Sequence, residues 1–146
     1  MKRPLLLLAL TWASFLVFLP FAAAGDTSLL HISAHVIQIP LLVLAVLVAR
    51  RFLATATTRT PRVIGWVLSI TLPLALVAIA VELISAVVRL GQDGWVNRAT
   101  PDIWETGVHY WAASLAVPAL MLSMLAVLVL VLTSAVQGRR RLEPVS

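Results

Sequence analysis

The chain contains an apolar run at residues 108–132, VHYWAASLAVPALMLSMLAVLVLVL, which holds no aspartate, glutamate, lysine or arginine. About 20 predominantly apolar residues in a helix are enough to cross the hydrocarbon core of a bilayer. This run is therefore long enough to span a membrane, and it is the strongest indication of fold class in the sequence.

Three runs of the same kind precede it, at residues 5–24, 29–48 and 63–88. Each is long enough to cross a bilayer, and only short polar segments connect them. No soluble domain of useful size can form from these segments. We therefore predict an all-α, polytopic membrane protein in which four transmembrane helices form an antiparallel bundle, with residues 1–146 as a single domain.

The overall composition agrees with this class and excludes some chemistry. Hydrophobic residues make up 61% of the chain and charged residues 12%, whereas soluble domains are roughly 25% charged. The chain has no cysteine. Disulfide bonds, thiolate metal sites and thiol redox chemistry are therefore excluded.

Basic residues cluster at one set of run ends. Nine of the eleven lysine and arginine residues lie before the first run, between the second and third, or after the fourth, and the exceptions are Arg89 and Arg98. The positive-inside rule then predicts an integral cell-membrane protein with both termini and the loop of residues 50–62 in the cytoplasm, and residues 89–105 outside. Because membrane orientation explains the basic pI of about 11.4, nucleic acid is not expected as a partner.

The first run has an alternative interpretation. Lys2 and Arg3 followed by an apolar stretch and Ala22-Ala23-Ala24 resemble a signal peptide cleaved after Ala24. The apolar stretch spans about 20 residues, whereas a signal-peptide core is nearer 7–15 residues. This length favours a retained helix. Cleavage would leave three spans and an N-terminus outside.

Ionisable residues inside the predicted spans are the best clue to function. His31, His35 and Gln38 are spaced by four and three residues, so they share one face of the second helix. Glu82 lies in the third span and His109 near the outer end of the fourth. At 1.5 Å per residue these groups lie at overlapping depths in the outer leaflet. Such groups are costly in lipid and normally face the interior of a bundle.

Three kinds of site fit these residues. His31, His35, Glu82 and His109 could bind a divalent metal, with zinc or copper favoured by the ligand type. His35 and His109 could instead be axial ligands of a haem. A proton or quinone site would use the ability of histidine to exchange a proton near neutral pH.

Purely structural roles are the alternative. Glu82 could pair with Arg89 along its own helix, or with a histidine, while His31 and His109 lie among the headgroups. Intramembrane polar side chains also hold helices together through hydrogen bonds of about 0.6 kcal/mol on average. Four further residues are predicted to contact another helix or a partner: Gln38, Arg89, Trp104 and Trp111.

The sequence lacks a glycine-rich phosphate loop, an H-E-x-x-H motif and a G-x-x-x-G motif. With its short connections and small size, this favours a non-enzymatic membrane protein. We predict an accessory subunit or interaction partner of a larger membrane complex, surrounded by the lipid bilayer and other membrane subunits. The alternative is a redox, metal- or haem-binding membrane protein. In either case we expect the outer half to hold the functional surface.

Overall fold

The structure, a computed structural model, describes residues 2–20, 28–94 and 107–140, and those residues contain helices and no strand. We number the helices α1 to α4 in chain order. Their bounds are Lys2–Leu16, Ser28–Thr55, Arg59–Asp93 and Gly107–Arg140. The all-helical part of the predicted fold class is therefore confirmed for the described residues.

All four helical segments are long and apolar enough to cross a membrane, judged by length and composition. The outward-facing side chains are themselves apolar. Trp66, Ile70 and Leu125, for example, are mostly exposed on the outside of the protein. Soluble proteins also expose apolar atoms, but large contiguous apolar surfaces are typical of contacts with lipid or with other proteins.

The helices pack side by side in a ring. α1 contacts α2 and α4, and α3 contacts the same two helices. Alanines such as Ala45, Ala75 and Ala116 lie in the core beside larger residues such as Leu42 and Leu72. Small residues let helix backbones approach closely, which favours tight packing where the surroundings are as apolar as the core.

Two helices extend beyond the apolar runs that predicted them. α2 continues to Thr55 and α3 begins at Arg59, so the predicted loop of residues 50–62 is too long. Arginine, leucine and alanine are good helix formers, and the backbone keeps its helical hydrogen bonds after the apolar run ends. The connection between these helices is consequently only residues 56–58.

Prolines and a glycine explain where other predicted bounds differ. α1 ends at Leu16, the chain turns at Val17, and residues 18–20 are helical again. The interruption fits Pro20, which has no N–H for the Leu16 carbonyl and whose ring crowds that oxygen. α4 begins at Gly107, one residue before the predicted span, and φ is +68° there. Such a φ is easy for glycine and costly for other residues.

Residues 21–24 of the first predicted span lie outside the described residues. So does Thr100, a residue type that favours helix N-caps. Pro40, Pro73 and Pro118 lie inside continuous helices. Any bend that they cause therefore does not interrupt α2, α3 or α4.

Candidate metal centre

The buried face of α2 supplies three polar side chains to the core. His31, His35 and Gln38 follow one another at helical spacings, so a single face presents all three. His31 is 6% exposed and His35 is 2% exposed. Gln38 is buried as well. In a protein with an apolar exterior, this face can only be accommodated where other polar groups meet it.

Gln38 orients the imidazole of His35. The Gln38 Oε1 atom lies 3.0 Å from His35 Nδ1. An amide oxygen only accepts hydrogen bonds, so in this contact His35 Nδ1 is the donor. In the neutral imidazole the proton is then on Nδ1, and the lone pair of Nε2 points away from Gln38. This is the arrangement in which metal-binding histidines are usually held by a second residue.

Glu82 from α3 and His31 from the same helix as His35 both meet this lone pair. Glu82 on α3 places its Oε2 atom 3.1 Å from His35 Nε2. His31 Nε2 lies 3.0 Å from His35 Nε2. It also lies 3.0 Å from Nε2 of His109 on α4. His31 is thus the central member, and side chains from α2, α3 and α4 converge on one point in the core.

The four residues His31, His35, Glu82 and His109, which we call the His3Glu cluster, are all buried. One donor atom from each lies within 4.8 Å of the others. Zinc binds histidine nitrogen and carboxylate oxygen at about 2.0–2.2 Å in a tetrahedron, which separates the donor atoms by roughly 3.4 Å. Side-chain shifts of less than about 1 Å would therefore bring the cluster to tetrahedral zinc geometry.

The contacts within the cluster require either added protons or a metal ion between the facing donor atoms. With the proton of His35 on Nδ1, its Nε2 is an acceptor that faces Glu82 Oε2, which accepts as well when ionised. Two acceptor atoms 3.1 Å apart repel each other unless a proton or a metal ion lies between them. One added proton bridges a single pair of atoms, whereas one metal ion accepts lone pairs from all four ligands at once.

The same distances disfavour haem. Two axial histidines must face each other across the porphyrin plane with the iron midway between their Nε2 atoms. His31 Nε2 lies 3.0 Å from Nε2 of both His35 and His109. The third imidazole therefore overlaps the position of the iron and its porphyrin. The cluster can hold a single ion but has no place for a macrocycle.

A cavity of about 250 Å³ adjoins the His3Glu cluster. Phe18, two residues after α1, lies beside the cluster. Its ring centre is 5.8 Å from that of His31 and 6.0 Å from that of His35. The cavity lining joins the cluster and Gln38 to apolar residues: Phe15, Phe18, Ile79, Ala113, Ala116, Val117 and Leu120. Sequence reasoning missed these apolar residues, because nothing distinguishes them from other core positions.

The purely structural roles predicted for His31, His109 and Glu82 can be compared with the contacts of these residues. His31 is 6% exposed and His109 is 4% exposed, so their predicted location among the headgroups does not fit their burial between helices. Glu82 contacts His35. Of the two pairings predicted for Glu82, this is the one with a histidine. The guanidinium of Arg89 lies near the start of α4, beside Gly107.

Three other predicted contact residues have distinct positions. Gln38 bonds to His35 on its own helix rather than to another helix. Trp111 is 70% exposed and lies on the outside of α4, with its ring 5.8 Å from that of Tyr110. Trp104 lies outside the described residues.

No protein-family model, curated protein or solved structure matches this chain.

Proposed function

We propose that this protein is an integral cell-membrane protein that binds a divalent transition-metal ion, with zinc as the reference ion, at the His3Glu cluster. The observation that carries the proposal is the convergence of four buried donor atoms from three helices within 4.8 Å. Ionisable groups so placed in a membrane protein mark functional sites by default, because leaving them unpaired costs several kcal/mol. The sequence hypothesis of a metal site is thus the one that geometry supports best.

The ligand set suits zinc and its neighbours among the transition metals. Imidazole binds zinc, copper, iron and nickel well, whereas calcium and magnesium prefer sites made of oxygen ligands. Three imidazoles and one carboxylate form a closed, four-coordinate site in the manner of structural or storage sites. Gln38 supports the proposal, because His35 has the second hydrogen bond that fixes its ring.

The proposal includes an antiparallel bundle that spans the membrane with both termini in the cytoplasm. Arg3 near the start of α1 donates to Thr55 at the end of α2, at 2.9 Å. Ser123 on α4 donates to Thr71 on α3 at 2.7 Å, well away from the contact of Glu82 with the cluster. These pairings, and the short connection at residues 56–58, support helices that alternate in direction.

Reporter fusions test this orientation. A cytoplasmic reporter fused after Arg62 is expected to be active, and a reporter that works only outside the cell is expected to be active after Gly94. The reason is the nine-to-two distribution of basic residues between the two sides. The reverse pattern of activity would show that the bundle is inserted the other way round.

An accessory-subunit role is the second candidate, and one observation favours it. Tyr110 and Trp111 are both well exposed at the start of α4, close in sequence to the cluster residue His109. Tyrosine and tryptophan are enriched in protein interfaces and at membrane interfaces. They could bind a partner near the metal site. The two candidate functions are compatible.

One purification tests both candidates. The full-length protein, isolated from membranes in mild detergent, is expected to carry or take up one zinc ion per chain, measured by elemental analysis and equilibrium dialysis. Binding should weaken at acid pH, because imidazole must be deprotonated to bind a metal. A preparation that takes up no stoichiometric metal, but retains a co-purifying membrane protein, would favour the accessory-subunit role instead.

A further inference from the structure

The cavity beside the His3Glu cluster is larger than the metal ion needs. The ion would lie among donor atoms that are within 4.8 Å of one another, whereas the adjoining space is about 250 Å³. Ala113 and Ala116 of α4 line this space. Larger side chains at these two positions would occupy it, so small residues on one helix leave room for a ligand.

The cavity has one polar end and apolar walls. Glu82, Gln38 and the three histidines form the polar end, and the remaining lining is aromatic or aliphatic. A purely aliphatic chain would bury this polar end without hydrogen bonds, which is costly. A small hydrophilic molecule would gain nothing from the apolar walls. The lining therefore suits a molecule with an apolar body and a polar atom at one edge.

The cavity is open rather than enclosed, and some of its lining residues are also part of the apolar exterior. Val117 on α4 lines the cavity and is 53% exposed. Phe15 on α1 and Phe18, two residues after α1, also line the cavity and are partly exposed. In the membrane-spanning orientation proposed above, this opening faces lipid. A ligand would enter from the hydrocarbon phase rather than from water.

The cavity is large enough for a six-membered ring. An apolar protein cavity of about 150 Å³ holds benzene. A cavity of about 250 Å³ therefore holds one substituted six-membered ring, with any attached tail leaving through the opening. A ring hydroxyl would donate to the Glu82 carboxylate or accept from the Gln38 amide.

We propose that this cavity binds the ring of a membrane-soluble quinol, with a ring hydroxyl directed at the metal site. The inference rests on the proposed function, since the metal and its ligands form the polar end. It concerns binding and involves no electron transfer. It also gives a reason for burying a metal site in the membrane, where a lipid-soluble ligand can reach it.

A decyl-substituted 1,4-benzoquinol is the probe, used without oxygen on the zinc-loaded full-length protein in lipid nanodiscs. We expect saturable binding at one quinol per chain by calorimetry. Decylbenzene, which has the same ring and tail but no oxygen, should bind at least about tenfold more weakly. With cobalt in place of zinc, quinol binding should change the visible absorption spectrum of the metal.

Variants distinguish the cavity from general partitioning into lipid. Ala116→Phe should weaken quinol binding by about tenfold or more, because its ring fills the cavity, and it should still take up zinc. Ala9→Phe, at an exposed position on α1, is the matched control and should leave both affinities unchanged. If Ala116→Phe takes up no zinc, Ala113→Phe replaces it in the comparison.

The outcomes separate the two proposals. Zinc-loaded protein that binds no quinol, or binds decylbenzene equally well, would overturn the quinol inference and leave the metal site intact. Protein that takes up no zinc would overturn the proposed function. Quinol binding to that metal-free protein, if sensitive to Ala116→Phe, would still support the cavity as a ring site.

Discussion

Replacing His31 with alanine is expected to weaken zinc binding by more than about 100-fold, because losing only a residue that hydrogen-bonds to a metal ligand already costs about 10–100-fold. His31 is the central ligand, since its Nε2 atom lies 3.0 Å from Nε2 of both other histidines. The variant leaves a three-ligand site in an apolar core. Competition with a chelating dye measures the affinity, and His35→Ala and His109→Ala should fall in the same range.

Ser123→Ala is the matched control for the histidine variants. Ser123 is also buried and polar, and its Oγ bonds to Thr71 Oγ1 and to the Ala119 carbonyl, away from the His3Glu cluster. We expect its zinc affinity to match that of the unchanged protein. Equal loss of affinity in Ser123→Ala and His31→Ala would show that the loss reflects folding. Native affinity in His31→Ala would show that zinc binds elsewhere.

Zinc is also expected to stabilise the protein strongly. A ligand that binds only the folded state at about a thousand times its dissociation constant raises the free energy of unfolding by about 4 kcal/mol. The cluster joins α2, α3 and α4, so unfolding of these helices would separate the ligands. Thermal unfolding in detergent, followed by tryptophan fluorescence, should shift to higher temperature with zinc and return when a chelator is added.

The same unfolding experiment on His31→Ala provides the control. Without its central ligand, the variant should show little shift at the same zinc concentration. It should still unfold cooperatively, because the Leu, Val and Ala core between the helices is unchanged. A shift as large as that of the unchanged protein would place the stabilising ion outside the cluster and contradict the proposed site.

The helices and their polar faces could be predicted from sequence because both are local properties. Four apolar runs indicated four helices, and spacings of four and three placed His31, His35 and Gln38 on one face. The cost of ionisable groups in lipid selected Glu82 and His109 as well. All four members of the cluster were thus identified as candidates before their distances were known.

Details that depend on neighbouring atoms could not be predicted in this way. Hydropathy marks where a helix enters lipid but not where its hydrogen bonds stop, so the loop at residues 50–62 was overestimated. The role of Gln38 as a hydrogen-bond partner of His35 depends on side-chain rotation. His109 seemed near the surface by depth alone, whereas packing buries it against His31.

Hydropathy and helical period act over a few turns, so they are enough to predict apolar helices with a few ionisable groups at similar depths. They do not predict that groups from α2, α3 and α4 meet within 4.8 Å and leave a cavity beside them. That convergence depends on how each helix is rotated and shifted against its neighbours. Rotation and shift are set by the fit of core side chains such as Leu42 and Leu72, which no local pattern encodes.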